Sequence, residues 1–162
     1  MISTIGIEKK KTNFELAGDR ITELIIFDSA GQERFRSVGL TLYKIADCCI
    51  LVYDITDKKT FYTCKEYFIE RIKELCKSDI KVILLGNKSD LEEERQVSQE
   101  EGRNLAIENN YLFSEISCKK NSNIFESFKK LIEITDKDIA NNHKDSFSLK
   151  RKDFNKKRKK CC

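Results

Sequence analysis

Two spacings of apolar residues alternate along the chain. Thr12 to Leu16 and Arg20 to Phe27 are strand-like runs flanking Ala17-Gly18-Asp19, and a short turn between such runs predicts an antiparallel hairpin. Cys48 to Tyr53 and Ile80 to Leu85 are short and almost wholly apolar, which suits strands buried on both faces of a sheet. Between them Phe61, Cys64, Phe68, Ile72, Leu75 and Cys76 recur at helical spacing. Ser98, followed three residues later by Glu101, forms a capping box for a helix expected to run to about Asn109. Tyr111 to Ile116 reads as the next strand, and Ile124, Phe125, Phe128, Leu131 and Ile132 mark one face of a last amphipathic helix. Strand and helix alternate, and that order predicts an α/β fold with a largely parallel sheet.

The apolar periodicity fades after Ile139, and charge shows why. Of 162 residues with a net charge of +4, residues 141–162 carry nine Lys or Arg against two Asp, whereas residues 1–140 carry 22 basic against 25 acidic. We expect one domain over 1–140, with the 40% hydrophobic content supplying a single core, and a flexible basic extension over 141–162. The seven cysteines, Cys48, Cys49, Cys64, Cys76, Cys118, Cys161 and Cys162, show no CxxC spacing, and the lone His143 sits in the polar tail. With no apolar signal segment at the N-terminus, this pattern predicts reduced thiols in a cytosolic compartment rather than a disulfide frame or a zinc site. The longest apolar runs are too short to cross a bilayer, so membrane attachment would come from the surface or from lipid.

In sheets of this kind ligands sit at the carboxyl ends of the strands, and four polar motifs fall there. In Asn87-Lys88-Ser89-Asp90, a fixed carboxylate at Asp90 accepts two N–H groups from a guanine edge, a donor pair that adenine lacks. Asn87 suits the other edge and ties neighbouring loops together, while the Lys88 stem covers the ring face. In Ser117-Cys118-Lys119 a backbone N–H suits the guanine carbonyl oxygen, with Lys119 packing on the nucleoside. In the Asp28 to Gln32 run, Asp28 suits the water shell of Mg²⁺, Gly31 allows close backbone approach to a γ-phosphate, and Gln32 orients an attacking water. In Ser3-Thr4-Ile5-Gly6 the Thr4 hydroxyl and carbonyl suit Mg²⁺ and the γ-phosphate. Each motif alone is weak evidence, and a turn with satisfied polar groups is its commoner explanation. Their joint order on successive strand ends favours a nucleotide site.

At these residues the chain resembles the small GTPases, and within them most closely the Rab family. ISTIGIE, DSAGQERFRS, ILVYDITDKKTF, GNKSD and EISCK, with the two terminal cysteines, resemble Rab motifs in sequence and spacing over roughly residues 2–135. The resemblance implies a three-layer P-loop NTPase-like fold, GTP and GDP as nucleotides, Mg²⁺ as the metal, and a switch for vesicle-mediated and intracellular protein transport that hydrolyses GTP when complete. Carried over residue by residue, it makes Thr4 a Mg²⁺ ligand, Asp28 a Mg²⁺ holder through water, Gly31 the γ-phosphate sensor and Gln32 the catalytic, water-positioning residue. Asn87, Lys88, Asp90, Ser117, Cys118 and Lys119 then form the guanine pocket. The implied partners are Rab escort protein and prenyltransferase, GDP-dissociation inhibitor, an exchange factor, a GTPase-activating protein and effectors, with a monomer at the cytosolic face of an endomembrane.

The departures are as specific as the matches. Cys118 stands where the family usually has Ala, and Ser29 where it has Thr; both are mild. The aromatic triad read by Rab effectors falls on Lys9, Phe27 and Leu42, so only one aromatic remains. No GxxxxGK(S/T) run occurs, whereas the family places a buried strand, that phosphate loop and a helix before the first switch. In the family's sheet the missing strand lies between the strand ending at Asp28 and that beginning at Cys48, and its loss is expected to leave two facing edges unpaired. We therefore expect a truncated chain starting at an internal methionine, Met1, with a P-loop-less membrane adaptor that does not hydrolyse GTP as the alternative. The tail carries Lys150-Arg151-Lys152 and Lys156 to Lys160 before Cys161-Cys162, so two geranylgeranyl groups plus a polybasic stretch supply the two signals that stable anchoring needs. Nucleic-acid binding through the tail ranks last, because the body is acidic and offers no stacking face.

Overall fold

The computed structural model describes residues 7–16, 20–29 and 40–139. The elements in chain order are β1 (Ile7–Leu16), β2 (Arg20–Ser29), α1 (Leu40–Ile45), β3 (Cys48–Asp54), α2 (Lys58–Thr63), α3 (Ile69–Leu75), β4 (Lys81–Asn87), α4 (Gln99–Glu108) and β5 (Leu112–Glu115). A final helix, α5, covers residues 124–139. β1 and β2 pair antiparallel from Ile7 opposite Ser29 to Leu16 opposite Arg20, while the predicted turn at Ala17-Gly18-Asp19 lies outside the described residues. β3, β4 and β5 form a separate parallel sheet in that order. Among the described residues β2 and β3 are therefore not partners.

Helices cover both faces of the parallel sheet. On one face Leu51, Tyr53, Val82 and Leu84 meet Phe61, Ile69 and Ile72 of the β3–β4 connection and Leu105 of α4. On the other, Ile83, Leu85 and Ile116 meet Leu131 of α5. Each such buried aliphatic side chain contributes about 1.5–3 kcal/mol. The arrangement is the three-layer α/β architecture expected from the sequence. β4 is buried from Val82 to Gly86, as a central strand should be. β3 departs from the expectation of burial on both faces: among the described residues it is an edge strand, and although Cys48 and Ile50 pack into the α5-side core, Val52 is 49% exposed.

The helical face of the β3–β4 connection also differs in detail from its sequence pattern. The most buried positions are Phe61, Cys64, Ile69 and Ile72, with Phe68 only partly buried. The cause is a π-helical turn at Cys64–Phe68, where the Ile69 N–H donates to the Cys64 carbonyl five residues back. That extra residue rotates the inward position from Phe68 to Ile69.

α4 begins as predicted. Ser98 Oγ accepts from the Glu101 N–H at 3.2 Å, and the Glu101 carboxylate accepts from the Ser98 N–H at 2.8 Å. β5 is a residue shorter at each end than the run Tyr111 to Ile116, because the Tyr111 N–H turns back to the Ala106 carbonyl at 2.8 Å and closes α4. The hairpin docks on α5 through a Phe14–Phe125 stack with centroids 5.5 Å apart and an Arg20–Asp136 ion pair at 2.8 Å. Phe125, placed by its spacing on the apolar face, is thus the hairpin's seat and remains 60% exposed.

Candidate functional site

Three strand ends converge around one loop. Asn87 is the last residue of β4, and its Oδ1 accepts from the Lys88 N–H at 2.8 Å and from the Cys118 N–H at 3.2 Å. The Ser89 N–H donates to the Ile116 carbonyl at 3.1 Å, so the two loops that follow β4 and β5 are tied by backbone and side chain alike. Lys88 takes a left-handed φ of 67°, which turns the chain out of the strand direction. A non-glycine residue holds that conformation here because its N–H and carbonyl are both engaged, the carbonyl accepting from Leu91 N–H at 2.9 Å.

Asp90 and Ser117 lock the two loops together. Ser117 is fully buried, and its Oγ donates to Asp90 Oδ1 at 2.5 Å while accepting from the Lys120 N–H at 3.0 Å. This hydrogen bond, helped by the nearby Lys119 and Lys120 charges, holds the Asp90 carboxyl below the usual carboxylate range, so it is ionised at neutral pH. An oriented, ionised carboxylate at the strand ends is the chemistry that accepts a paired N–H edge.

A third strand end contributes groups that the sequence pattern did not single out. Asp54, the last residue of β3, accepts through Oδ1 from the Thr56 N–H at 2.9 Å and the Thr56 hydroxyl at 2.7 Å. Its Oδ2 pairs with Lys88 Nζ at 2.5 Å, and its own N–H donates to Thr60 Oγ at 2.9 Å. Partial burial alone would raise the Asp54 carboxyl, but Lys88 and Thr56 outweigh it and the net shift is downward. Asp54 also raises the Lys88 ammonium. The available signal was the Asp-x-Thr spacing at a strand end, which favours a side-chain turn.

Beside this cluster Arg95 braces the approach to β5. Its guanidinium grips Glu115 through two bonds of 2.7 and 2.9 Å, Glu92 through bonds of 2.8 and 2.7 Å, and the Val97 carbonyl at 2.9 Å. Glu115 lies two residues before Ser117, so this fork fixes the strand from which the second loop springs.

The structure thus brings Asn87, Lys88, Asp90, Ser117 and Cys118 together, with the Lys119 charge acting on Asp90. Asp28 stands near the end of β2 in the other sheet, directly opposite Glu8. Thr4, Gly31, Gln32, Cys161 and Cys162 lie outside the described residues.

The Ras family profile matches residues 1–137. Rab-8B of Homo sapiens is 46% identical over 127 residues, and Rab-8 of Diplobatis ommata is 46% identical over the same length. Rab-8A of Bos taurus is 44% identical over 127 residues. The chain belongs to the Ras family of small GTPases, among the Rab proteins. In each case the matched stretch is 78% of this chain and 60% of the relative, so this Rab chain spans less than two thirds of the length of the relatives it matches. Among its described residues no helix is long and apolar enough to cross a membrane.

Proposed function

We propose that this Rab protein is a guanine-nucleotide switch for vesicle-mediated transport, carried on the cytosolic face of an endomembrane. The observation that carries the reading is the Asn87–Cys118 and Asp90–Ser117 pairing, which holds an ionised carboxylate and a backbone N–H on adjoining loops at the strand ends. GTP and GDP are the nucleotides, recognised through Asp90, Asn87 and the backbone at Ser117, Cys118 and Lys119, with the Lys88 stem on the ring. Mg²⁺ supplies charge neutralisation at the phosphates, and Asp28 with Thr4 would hold it. Gln32 then positions water for hydrolysis, and Gly31 and Thr4 respond to the γ-phosphate. Cys161 and Cys162 carry the lipid, and the basic tail adds attraction to an anionic leaflet.

A second reading is a membrane adaptor that keeps the body without hydrolysis. It is favoured by the division between β2 and β3, which leaves the hairpin bearing Asp28 outside the sheet that bears the base loop. Titration of the chain with GDP and with ADP separates the two. Micromolar or tighter GDP binding with at least tenfold discrimination against ADP is expected for the switch, about 1.4 kcal/mol per tenfold. Equal and weak binding of both nucleotides rejects it.

A further inference from the structure

We infer that Asp54 is a positioning residue that fixes the Lys88 side chain across the base site and so sets affinity for the guanine ring. The inference rests on the guanine-nucleotide reading above. The Asp54 carboxylate divides its two oxygens between separate duties: Oδ1 is held by the Thr56 N–H and hydroxyl, and Oδ2 meets Lys88 Nζ at 2.5 Å. Asp54 is itself pinned, because its N–H donates to Thr60 Oγ and that hydroxyl in turn donates to the Asp57 carbonyl at 2.7 Å. Its side chain is 18% exposed against 42% for Lys88, so the carboxylate is the fixed partner and the lysine the one that is held.

Lys88 is consequently tied at both ends. Its backbone is set by Asn87 Oδ1, in the left-handed region, and its ammonium by Asp54. A lysine stem free in solvent loses rotamer freedom when a ring settles on it, whereas a stem already stretched between two anchors has lost that freedom before the ligand arrives. The methylene chain, rather than the charge, then meets the ring, and the charge stays on Asp54.

The test is calorimetric titration of the full chain and three variants, Asp54→Asn, Lys88→Met and the double variant, with GDP and ADP, beside urea unfolding. Asp54→Asn keeps Oδ1 for Thr56 and replaces Oδ2 by an amide that cannot pair with an ammonium. The expected result is a GDP affinity lower by about five- to tenfold, the scale for ordering one rotamer-rich side chain, with the unfolding midpoint nearly unchanged. In the Lys88→Met background the same change should have no further effect on GDP binding, because its route through the ammonium is gone. Undiminished GDP binding by Asp54→Asn overturns the inference and leaves the guanine reading standing. So does an equal loss in both backgrounds, which would mark a general structural role. A wild-type chain that binds GDP no better than ADP overturns both.

Discussion

Gly102 permits a quantitative test of how α4 sits on the sheet. A methyl group on its Cα would meet the Tyr53 hydroxyl and would stand 2.7 and 2.9 Å from Phe113 Cε2 and Cζ, inside any contact that carbon atoms tolerate. Two terms oppose each other in Gly102→Ala. Helix propensity favours alanine by about 1 kcal/mol, whereas overpacking a core costs ~1–3 kcal/mol. Tyr53 is 1% exposed, so it has little room to retreat, and the upper part of that range applies. The net expectation is a loss of about 1–2 kcal/mol by these two terms. Tyr53 adds a second arm: its hydroxyl has no hydrogen-bond partner among the described residues, so Tyr53→Phe removes an obstacle without breaking a bond. In the Tyr53→Phe background Gly102→Ala should cost ~0.5–1 kcal/mol less, though not nothing, since Phe113 remains. Urea unfolding followed by circular dichroism measures all four proteins. The reasoning fails if Gly102→Ala matches or exceeds wild-type stability, or if its cost is the same with and without the Tyr53 hydroxyl.

Ser117→Ala should lower stability by about 0.5–1.5 kcal/mol, because it removes the buried hydroxyl that accepts from the Lys120 N–H; it should also weaken GDP more than ADP by releasing Asp90, both measurable on one preparation. Arg95→Met leaves Glu115, whose side chain is only 10% exposed, without its fork and should cost ~2–3 kcal/mol in urea unfolding, whereas Glu92→Gln, at 67% exposure, should leave the urea midpoint nearly unchanged. Alkaline titration should destabilise the fold. Burial raises the Cys64 thiol from 9.0 to about 11, so its contribution is present below pH 9 and is lost as pH rises towards 11, and Cys48 and Cys49 shift the same way. A urea midpoint that holds constant from pH 8 to 11 would contradict this.

The parallel sheet was legible because β4 is apolar throughout and the Ser98–Glu101 box needs only local chemistry. That Asn87, Asp90 and Ser117 would meet was legible for a related reason: they act through short side chains on adjacent strand ends, where sequence order and spatial order agree. Other features depend on what lies across space. The exchange of Phe68 for Ile69 follows from a π-turn that no periodicity announces. Val52 is exposed on a strand that stands at the sheet edge among the described residues, and Asp54 joins the cluster only by meeting Lys88, 34 positions further along the chain. α1 at Leu40–Ile45 is six residues long and has no acidic residue in its first turn, leaving little local signal to read.

The seating of the hairpin on α5 has a bearing on signalling. In a continuous sheet a displacement of one strand is felt by its neighbours through shared ladder bonds, but here no ladder joins β2 to β3 among the described residues. The described links from hairpin to body include one ring stack and one ion pair that is largely open to solvent. Salt weakens the charged one, so whatever coupling it carries falls with ionic strength. On the proposed switch reading, the bound nucleotide, and not a shared β-ladder, would be what makes the hairpin and the loop at Asn87 answer to one another.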